Sequence, residues 1–126
     1  MEDFRRKARF VAVGHMTKAP AAMTYASVVS RETVCIALML AALKDLELKC
    51  GDVLNAYITA QVTEKIWTTP GPEFGSDEGK TAIIVRALYG LKSSGAAFRK
   101  HLGDCMAGLG YKPCLVDPDL WLKHVV

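Results

Sequence analysis

The most pronounced hydrophobic pattern in the sequence is an uninterrupted apolar run at residues 34–43, which would be apolar on nearly every side of a helix. Ser30 precedes the run and can act as its N-cap, because a serine hydroxyl accepts a hydrogen bond from a free N–H of the first turn. Glu32 lies in that first turn, where a carboxylate interacts favourably with the positive end of the helix dipole. These features predict a helix, and its all-round apolar character predicts that the helix is buried.

Strands are predicted at five places, where apolar and polar residues alternate or β-branched residues cluster. They cover residues 7–13, 46–53, 64–69, 81–88 and 120–126. A second helix is predicted from residue 93 or 94 to about residue 109, where Gly110 ends it. Because strands and helices are mixed without a regular βαβ alternation, the order of elements predicts an α+β fold.

Composition indicates a single small globular domain that is unusually apolar for its length. The chain has 126 residues, of which 51% are hydrophobic and 23% are charged, and these values exclude disordered and collagen-like proteins. Its mean hydropathy of +0.17 is high for a short chain, which must leave a large share of its surface exposed. We therefore expect neighbouring protein to cover part of that surface.

The sequence contains no feature that points to a membrane or to secretion. The apolar run at 34–43 has ten residues, whereas a membrane-spanning helix needs roughly 20. Since no apolar segment of a signal peptide follows the N-terminal charges, an intracellular location without a membrane anchor is expected. The cysteines are far apart and lack metal-ligand spacing, which favours structural or free thiols. They are Cys35, Cys50, Cys105 and Cys114.

Positive charge is modest overall but clustered near the N-terminus. The net charge of +3 is too small to establish nucleic-acid binding by itself. The cluster consists of Arg5, Arg6, Lys7 and Arg9. It is compatible with a phosphate-binding surface and equally with an ordinary solvated face.

The segment at residues 52–57 is the first candidate for chemistry. Asp52 is placed at the exit of a predicted strand, a tight turn follows, and Tyr57 comes five residues later. Two-metal nucleotidyl transfer requires carboxylates held on rigid elements, and a strand end provides such rigidity. The simpler interpretation is that Asp52 forms an ordinary turn and Tyr57 belongs to the core.

The segment at residues 88–95 is the second candidate, because a predicted strand is followed by a Gly/Ser break and a helix N-terminus, which can bind phosphate. Gly90 and Gly95 have the spacing of a P-loop, but Ala96 and Ala97 occupy the positions of its lysine and hydroxyl. Asp117-Pro118-Asp119 offers two close carboxylates, although the proline favours a turn entering the last strand.

Five short blocks in order resemble the Ty1/copia-type retrotransposon reverse transcriptase family over nearly the whole chain. Each block is weak alone, and their common register makes the resemblance specific. The blocks are Lys7-Ala8-Arg9-Phe10-Val11-Ala12 with Gly14; Tyr25-Ala26-Ser27-Val28-Val29 before the apolar helix; Asp52-Val53-Leu54-Asn55-Ala56-Tyr57; Leu88-Tyr89-Gly90-Leu91-Lys92-Ser93-Ser94; and Leu109-Gly110-Tyr111 leading to Asp117-Pro118.

The resemblance implies roles for individual residues. Asp52 matches the first catalytic aspartate, which binds Mg²⁺ together with the backbone carbonyl of Val53. Tyr57 matches the aromatic residue that closes the nucleotide pocket against a ribose 2′-OH. The remaining implied contacts are basic or polar. They are Lys7 and Arg9 with the incoming triphosphate, Lys92 with the nucleotide or the nucleic-acid backbone, and Ser93, Arg5 and Arg6 with nucleic acid.

The resemblance also implies an incomplete right-hand polymerase, with fingers at about 1–43 and 60–90 and a partial palm at about 44–59 and 91–126. The family's Tyr-Val-Asp-Asp hairpin, which supplies the other catalytic carboxylates, is absent from the sequence, so the chain is expected to be inactive alone. Residues 93–98 also depart from the commoner Gln-Ser-Pro-Arg pattern of the family.

Implied partners are an RNA template, a DNA primer, dNTPs and the rest of the Pol polyprotein, namely the C-terminal part of the palm, the thumb and RNase H. Two Mg²⁺ ions are implied for the complete enzyme, and the implied location is a cytoplasmic retrotransposon particle. Two alternatives remain open at the level of sequence. One is a non-catalytic relic that binds nucleic acid, and the other is a P-loop-like nucleotide-binding domain.

Overall fold

The computed structural model describes residues 8–21 and 23–124 as a mixture of helices and two small antiparallel sheets. Short 3-10 helices lie at Gly14–Met16 and Pro72–Asp77. The α-helices are α1 (Arg31–Leu43), α2 (Ala56–Thr59) and α3 (Ser94–Gly108). The strands are β1 (Gln61–Thr68), β2 (Ala82–Arg86), β3 (Lys112–Pro113) and β4 (Trp121–Leu122). The α+β character expected from the sequence is present.

The larger sheet is the antiparallel pair of β1 and β2, in which Ile66 lies opposite Ile84 and Trp67 opposite Ile83. Burial alternates along the whole of β1, as expected for a strand with one face toward the protein and one toward solvent. The strands predicted at 64–69 and 81–88 are thus confirmed, although β1 begins earlier.

Both predicted helices are confirmed, but the predicted burial of α1 is wrong. The Ser30 hydroxyl caps α1 by accepting a hydrogen bond from the Thr33 N–H at 3.1 Å. Ala41 is the one buried residue of α1, because no other described helix or strand packs extensively against it. After α3, Gly110 adopts a positive φ of 86°, a conformation that glycine tolerates and that ends the helix.

Two predicted strands are not formed within the described residues. Residues 46–53 are irregular and exposed, because no described segment pairs with them, and a strand requires a hydrogen-bonded neighbour. Asp52 therefore does not lie at the end of a strand. Of the strand predicted at 7–13, only Val11 pairs, through an isolated parallel bridge to Tyr89. Of the strand predicted at 120–126, residues 125–126 lie outside the described residues; within 120–124, β4 is formed and pairs with β3.

Residues 12–14 cross residues 89–90, which follow β2, and a glycine lies on each side of this crossing. The Ala12 N–H donates to the Tyr89 carbonyl at 2.8 Å. A Cβ atom on Gly14 would lie 1.8 Å from the Gly90 carbonyl oxygen, and one on Gly90 would lie 1.9 Å from the Ala12 oxygen. Since carbon and oxygen cannot approach so closely, this crossing requires glycine at both positions.

The core is small, and two of its members meet at one end of the larger sheet, where the Ala87 N–H donates to the Ala60 carbonyl at 3.0 Å. Its buried apolar members among the described residues are Ala41, Ala60, Ala87 and Leu91. In the part of the chain that the structure describes, no helix has the length and apolar character needed to cross a membrane.

Candidate nucleic-acid interface

Three sequence blocks that were singled out separately meet in one aromatic cluster. The Tyr57 ring lies 4.6 Å from the Tyr89 ring between centroids and 6.1 Å from the Phe98 ring. The Arg9 guanidinium lies over the face of Tyr89, with its carbon 5.3 Å from the ring centroid, which is within the range of a cation–π interaction. We call these four residues the aromatic cluster. It joins a cation suited to phosphate with rings suited to a base or a sugar.

Local backbone geometry positions Tyr57 in this cluster. Asn55 has φ 53° and ψ 40°, a left-handed conformation that asparagine tolerates better than most residues, and it turns the chain into α2. Helix α2 then packs against α3, which carries Phe98. Tyr57 and Phe98 also line a groove of about 1040 Å³, together with residues 26–29 and Trp121.

Asp52 and Val53 lie on the surface, one short turn before the aromatic cluster. No hydrogen bond or ion pair of Asp52 is found within the described residues. Among residues 8–21 and 23–124, no group of three or more histidine, cysteine, aspartate or glutamate residues is arranged to hold a metal ion. Since a two-metal site requires several carboxylates, the described residues do not form such a site by themselves. Asp52 could supply only one ligand.

Lys92 and Ser93 have different surroundings from those of the aromatic cluster. The Lys92 ammonium donates to the Thr17 carbonyl at 3.1 Å and remains exposed. Ser93 is only 6% exposed, and its hydroxyl donates to Glu64 Oε2 at 2.7 Å. The Ser93 side chain is therefore used inside the protein, and this arrangement gives no support to its predicted contact with nucleic acid.

The N-terminus of α3 is closed rather than open to a phosphate. Ser94 is 1% exposed, and its hydroxyl donates to the Leu88 carbonyl at 2.6 Å. At Gly95, a Cβ atom would lie 3.3 Å from the side chain of Ala26. This burial gives no support to the P-loop alternative, because a P-loop needs free N–H groups facing the ligand.

The Asp117-Pro118-Asp119 segment forms the predicted turn. One oxygen of Asp117 accepts from the Ser30 N–H at 2.9 Å and the other accepts from the Asp119 N–H at 3.1 Å. The bond from Ser30 and a further one from the Thr33 hydroxyl lower the pKa of Asp117. Hydrogen bonds from Ser27 and then Arg99 lower the pKa of Asp119. Both carboxylates thus attach the C-terminal segment to α1 and α3.

Several predicted contacts fall outside the described residues, and several contributors were not predicted. Arg5, Arg6 and Lys7 lie outside the described residues, so their predicted roles stay predictions. Tyr89 belongs to the recognised block at residues 88–94, and Phe98 ends the stretch at 93–98 that departs from the family pattern; no specific role was assigned to either. Glu64 was missed, because a charged residue in an alternating strand usually faces solvent.

Comparison with known proteins identifies the family. No match is found among curated proteins or among solved structures. A family model described as reverse transcriptase (RNA-dependent DNA polymerase) matches residues 1–125. Since this match covers nearly the whole sequence, the chain belongs to the reverse transcriptase family.

Proposed function

We propose that the chain forms the fingers and part of the palm of a Ty1/copia-type retrotransposon reverse transcriptase, with fingers at about 1–43 and 60–90. In the complete protein, a primer 3′-hydroxyl attacks the α-phosphate of a dNTP, which loses its bond to the β-phosphate so that pyrophosphate leaves. The observation that supports this proposal is the aromatic cluster. It brings Arg9, Tyr57 and Tyr89 together from three distant parts of the chain.

The aromatic cluster has the chemistry of a nucleotide contact. An arginine guanidinium is planar and always charged, so it can bind phosphate oxygens through paired hydrogen bonds. The Tyr57 ring is half-buried against Tyr89 and cannot easily move aside, so it can exclude a bulky substituent on the sugar. We therefore propose that Arg9 contacts the triphosphate and that Tyr57 favours deoxyribose over ribose.

We also propose that Asp52 and the Val53 carbonyl contribute to Mg²⁺ binding in the complete protein. When bound, two Mg²⁺ ions supply electrostatic stabilisation to the attacking and leaving oxygens. The other carboxylates must come from outside the described residues. The chain's own contribution is to place one carboxylate a single turn away from the nucleotide-contacting tyrosine.

The proposed partners are an RNA template, a DNA primer, dNTPs and the remainder of the Pol polyprotein. Contacts to nucleic-acid backbone are expected from Lys92 and from the basic N-terminal residues Arg5, Arg6 and Lys7. Because such contacts release counterions from the nucleic acid, binding should weaken steeply as salt rises.

Two experiments test the proposal, and the first measures binding of the 126-residue chain to a labelled oligo-dT/oligo-rA hybrid by fluorescence anisotropy at increasing salt. Binding should be detectable at low salt and should weaken in Arg9→Gln. It should be retained in Arg31→Gln, which removes an exposed arginine outside the aromatic cluster. Absence of hybrid binding at low salt, or equal effects of the two substitutions, would contradict the proposal.

The second experiment measures oligo-dT-primed synthesis on poly-rA by a polymerase-competent protein that contains these residues. Asp52→Asn should abolish synthesis, whereas Asp45→Asn should retain it, because Asp45 has φ 49° and asparagine tolerates this conformation. Tyr57→Ala should reduce the preference for dNTPs over rNTPs. Full activity of Asp52→Asn would refute the catalytic assignment.

A further inference from the structure

The exposed side of α3 carries a histidine and a cysteine that lie one helical turn apart. The Nε2 atom of His101 is 3.9 Å from the Sγ atom of Cys105, and both residues are exposed. Residues four positions apart are neighbours on the same face of an α-helix, so the helix itself holds the two side chains together. Cys105 is a free thiol. We call these two residues the α3 pair.

The α3 pair lies on the side of the helix that is turned away from the rest of the protein. Gly103 is two positions from each member and therefore lies on the opposite side of α3. A Cβ atom on Gly103 would be 3.3 Å from the ring of Trp121, so that side is covered. Gly108, one turn beyond Cys105, is exposed, and a Cβ atom there would meet nothing within 4 Å. The side with the α3 pair is therefore open to a second molecule.

The α3 pair has the donor atoms and the separation that suit a zinc ion. Zinc in proteins is bound by thiolate sulfur and imidazole nitrogen. A tetrahedral ion about 2.0 Å from the nitrogen and about 2.3 Å from the sulfur holds those two atoms about 3.5 Å apart. Rotation of two exposed side chains can close the small difference from 3.9 Å. Lys100 and Asp104 form an ion pair at 2.7 Å on the adjoining side of the helix, so together they add little net charge.

Two further ligands must come from another molecule. Among residues 8–21 and 23–124, no third histidine, cysteine, aspartate or glutamate joins the α3 pair in a group that could hold a metal ion. A two-fold contact between copies of a chain brings the same patch of each copy together. Two α3 pairs would then supply two cysteines and two histidines, which is a complete tetrahedral ligand set.

We propose that Zn²⁺ joins two copies of this chain through their α3 pairs. Each Cys105 thiol gives up its proton to the buffer when its sulfur binds the ion, and each His101 binds as the neutral imidazole. The exposed Gly108 leaves room for the second helix to approach. This inference does not depend on the proposed function, because the α3 pair belongs neither to the aromatic cluster nor to the basic residues.

The test is a titration of the metal-free 126-residue chain with zinc chloride, at neutral pH and with a phosphine reductant that prevents disulfides. Sedimentation equilibrium should show a doubling of the mass that is complete at one ion per two chains, and a chelator should reverse it. Cobalt(II) in place of zinc should produce the near-ultraviolet absorption band of a cobalt–thiolate bond. This band reports sulfur coordination directly.

Matched variants identify the ligands. Cys105→Ser and His101→Gln should each lose the doubling of mass, and Cys105→Ser should also lose the cobalt–thiolate band. Cys35→Ser and His15→Gln remove another exposed cysteine and another exposed histidine, and they should behave like the unchanged chain. Far-UV circular dichroism checks that all four variants fold.

A further measurement needs no substitution. Zinc should slow the alkylation of Cys105 by N-ethylmaleimide, followed by peptide mass spectrometry, and should leave the rate at Cys35 unchanged. An unchanged mass at saturating zinc overturns the inference, as does a doubling that persists in Cys105→Ser or equal protection of the two thiols. These results leave the proposed function standing, since binding of the oligo-dT/oligo-rA hybrid is measured without zinc.

Discussion

Three glycine-to-alanine substitutions can separate the cost of backbone strain from the cost of a steric clash. Gly14 and Gly90 lie where the N-terminal segment crosses residues 89–90, and Gly79 lies outside this crossing. Gly79 has φ 73° but open space around its Cβ position, so Gly79→Ala introduces backbone strain alone. At Gly14, φ lies outside the left-handed region, but the new methyl group would overlap the Gly90 carbonyl, so Gly14→Ala introduces a clash alone. Gly90→Ala introduces both, because its φ is 92° and its Cβ would overlap the Ala12 carbonyl.

The expected magnitudes follow from these distances. A left-handed conformation costs a non-glycine residue roughly 1–2 kcal/mol, partly offset by the lower entropy of the unfolded chain, so Gly79→Ala should lose about 1 kcal/mol. Relief of the clash at Gly14 must displace a backbone carbonyl and weaken the 2.8 Å Ala12–Tyr89 bond, which together cost about 2–4 kcal/mol. Gly90→Ala should lose about 3–5 kcal/mol.

The assay is urea unfolding followed by far-UV circular dichroism, with the free energy of unfolding extrapolated to water. The expected order of stability is wild type, Gly79→Ala, Gly14→Ala and then Gly90→Ala. If Gly14→Ala and Gly90→Ala are no less stable than Gly79→Ala, the two segments do not cross as described. The proposed link between Arg9 and Tyr89 would then lose its structural basis.

Two further predictions concern the N-terminus of α1 and its attachment to the C-terminal turn. Ser30→Ala should lower the free energy of unfolding by about 1 kcal/mol, since it removes the cap on the Thr33 N–H, whereas the exposed Ser76→Ala should have little effect in the same urea experiment. The pKa values of Asp117 and Asp119 lie below the ordinary 3.8, so their stabilisation is present above that pH and is lost as the pH falls through the lowered values. The thermal midpoint of the double variant Asp117→Asn/Asp119→Asn should therefore vary less between pH 4 and pH 2 than that of the wild type. An equal acid dependence would show that other carboxylates dominate.

Local signals in the sequence were sufficient for the elements that depend on local interactions. Ser30 predicts the start of α1 because its cap involves a residue only three positions away. The β-branched residues at 81–88 predict β2, and Gly110 predicts the end of α3. These features need no knowledge of the rest of the fold.

The predictions that were wrong concern features that depend on contacts with other segments, and a pattern of residues does not identify those segments. Alternation at 46–53 predicts a strand, but a strand forms only where another segment supplies hydrogen bonds. The apolar character of α1 predicts burial without saying what would cover it. The likeness of Asp52 and Tyr57 to a known family placed the candidate site near residues 52–57. It did not show that Ser93 bonds to Glu64, which lies 29 positions away.

The bond between Ala12 and Tyr89 sets an order of events during synthesis on the ribosome. Residues 8–14 are translated before β1 and β2, whereas their partner at residues 89–90 is translated after both strands. At roughly 5–20 residues per second, this delay lasts several seconds. During that interval the hairpin of β1 and β2 can close without residues 8–14, so this segment is translated before the hairpin but secured after it.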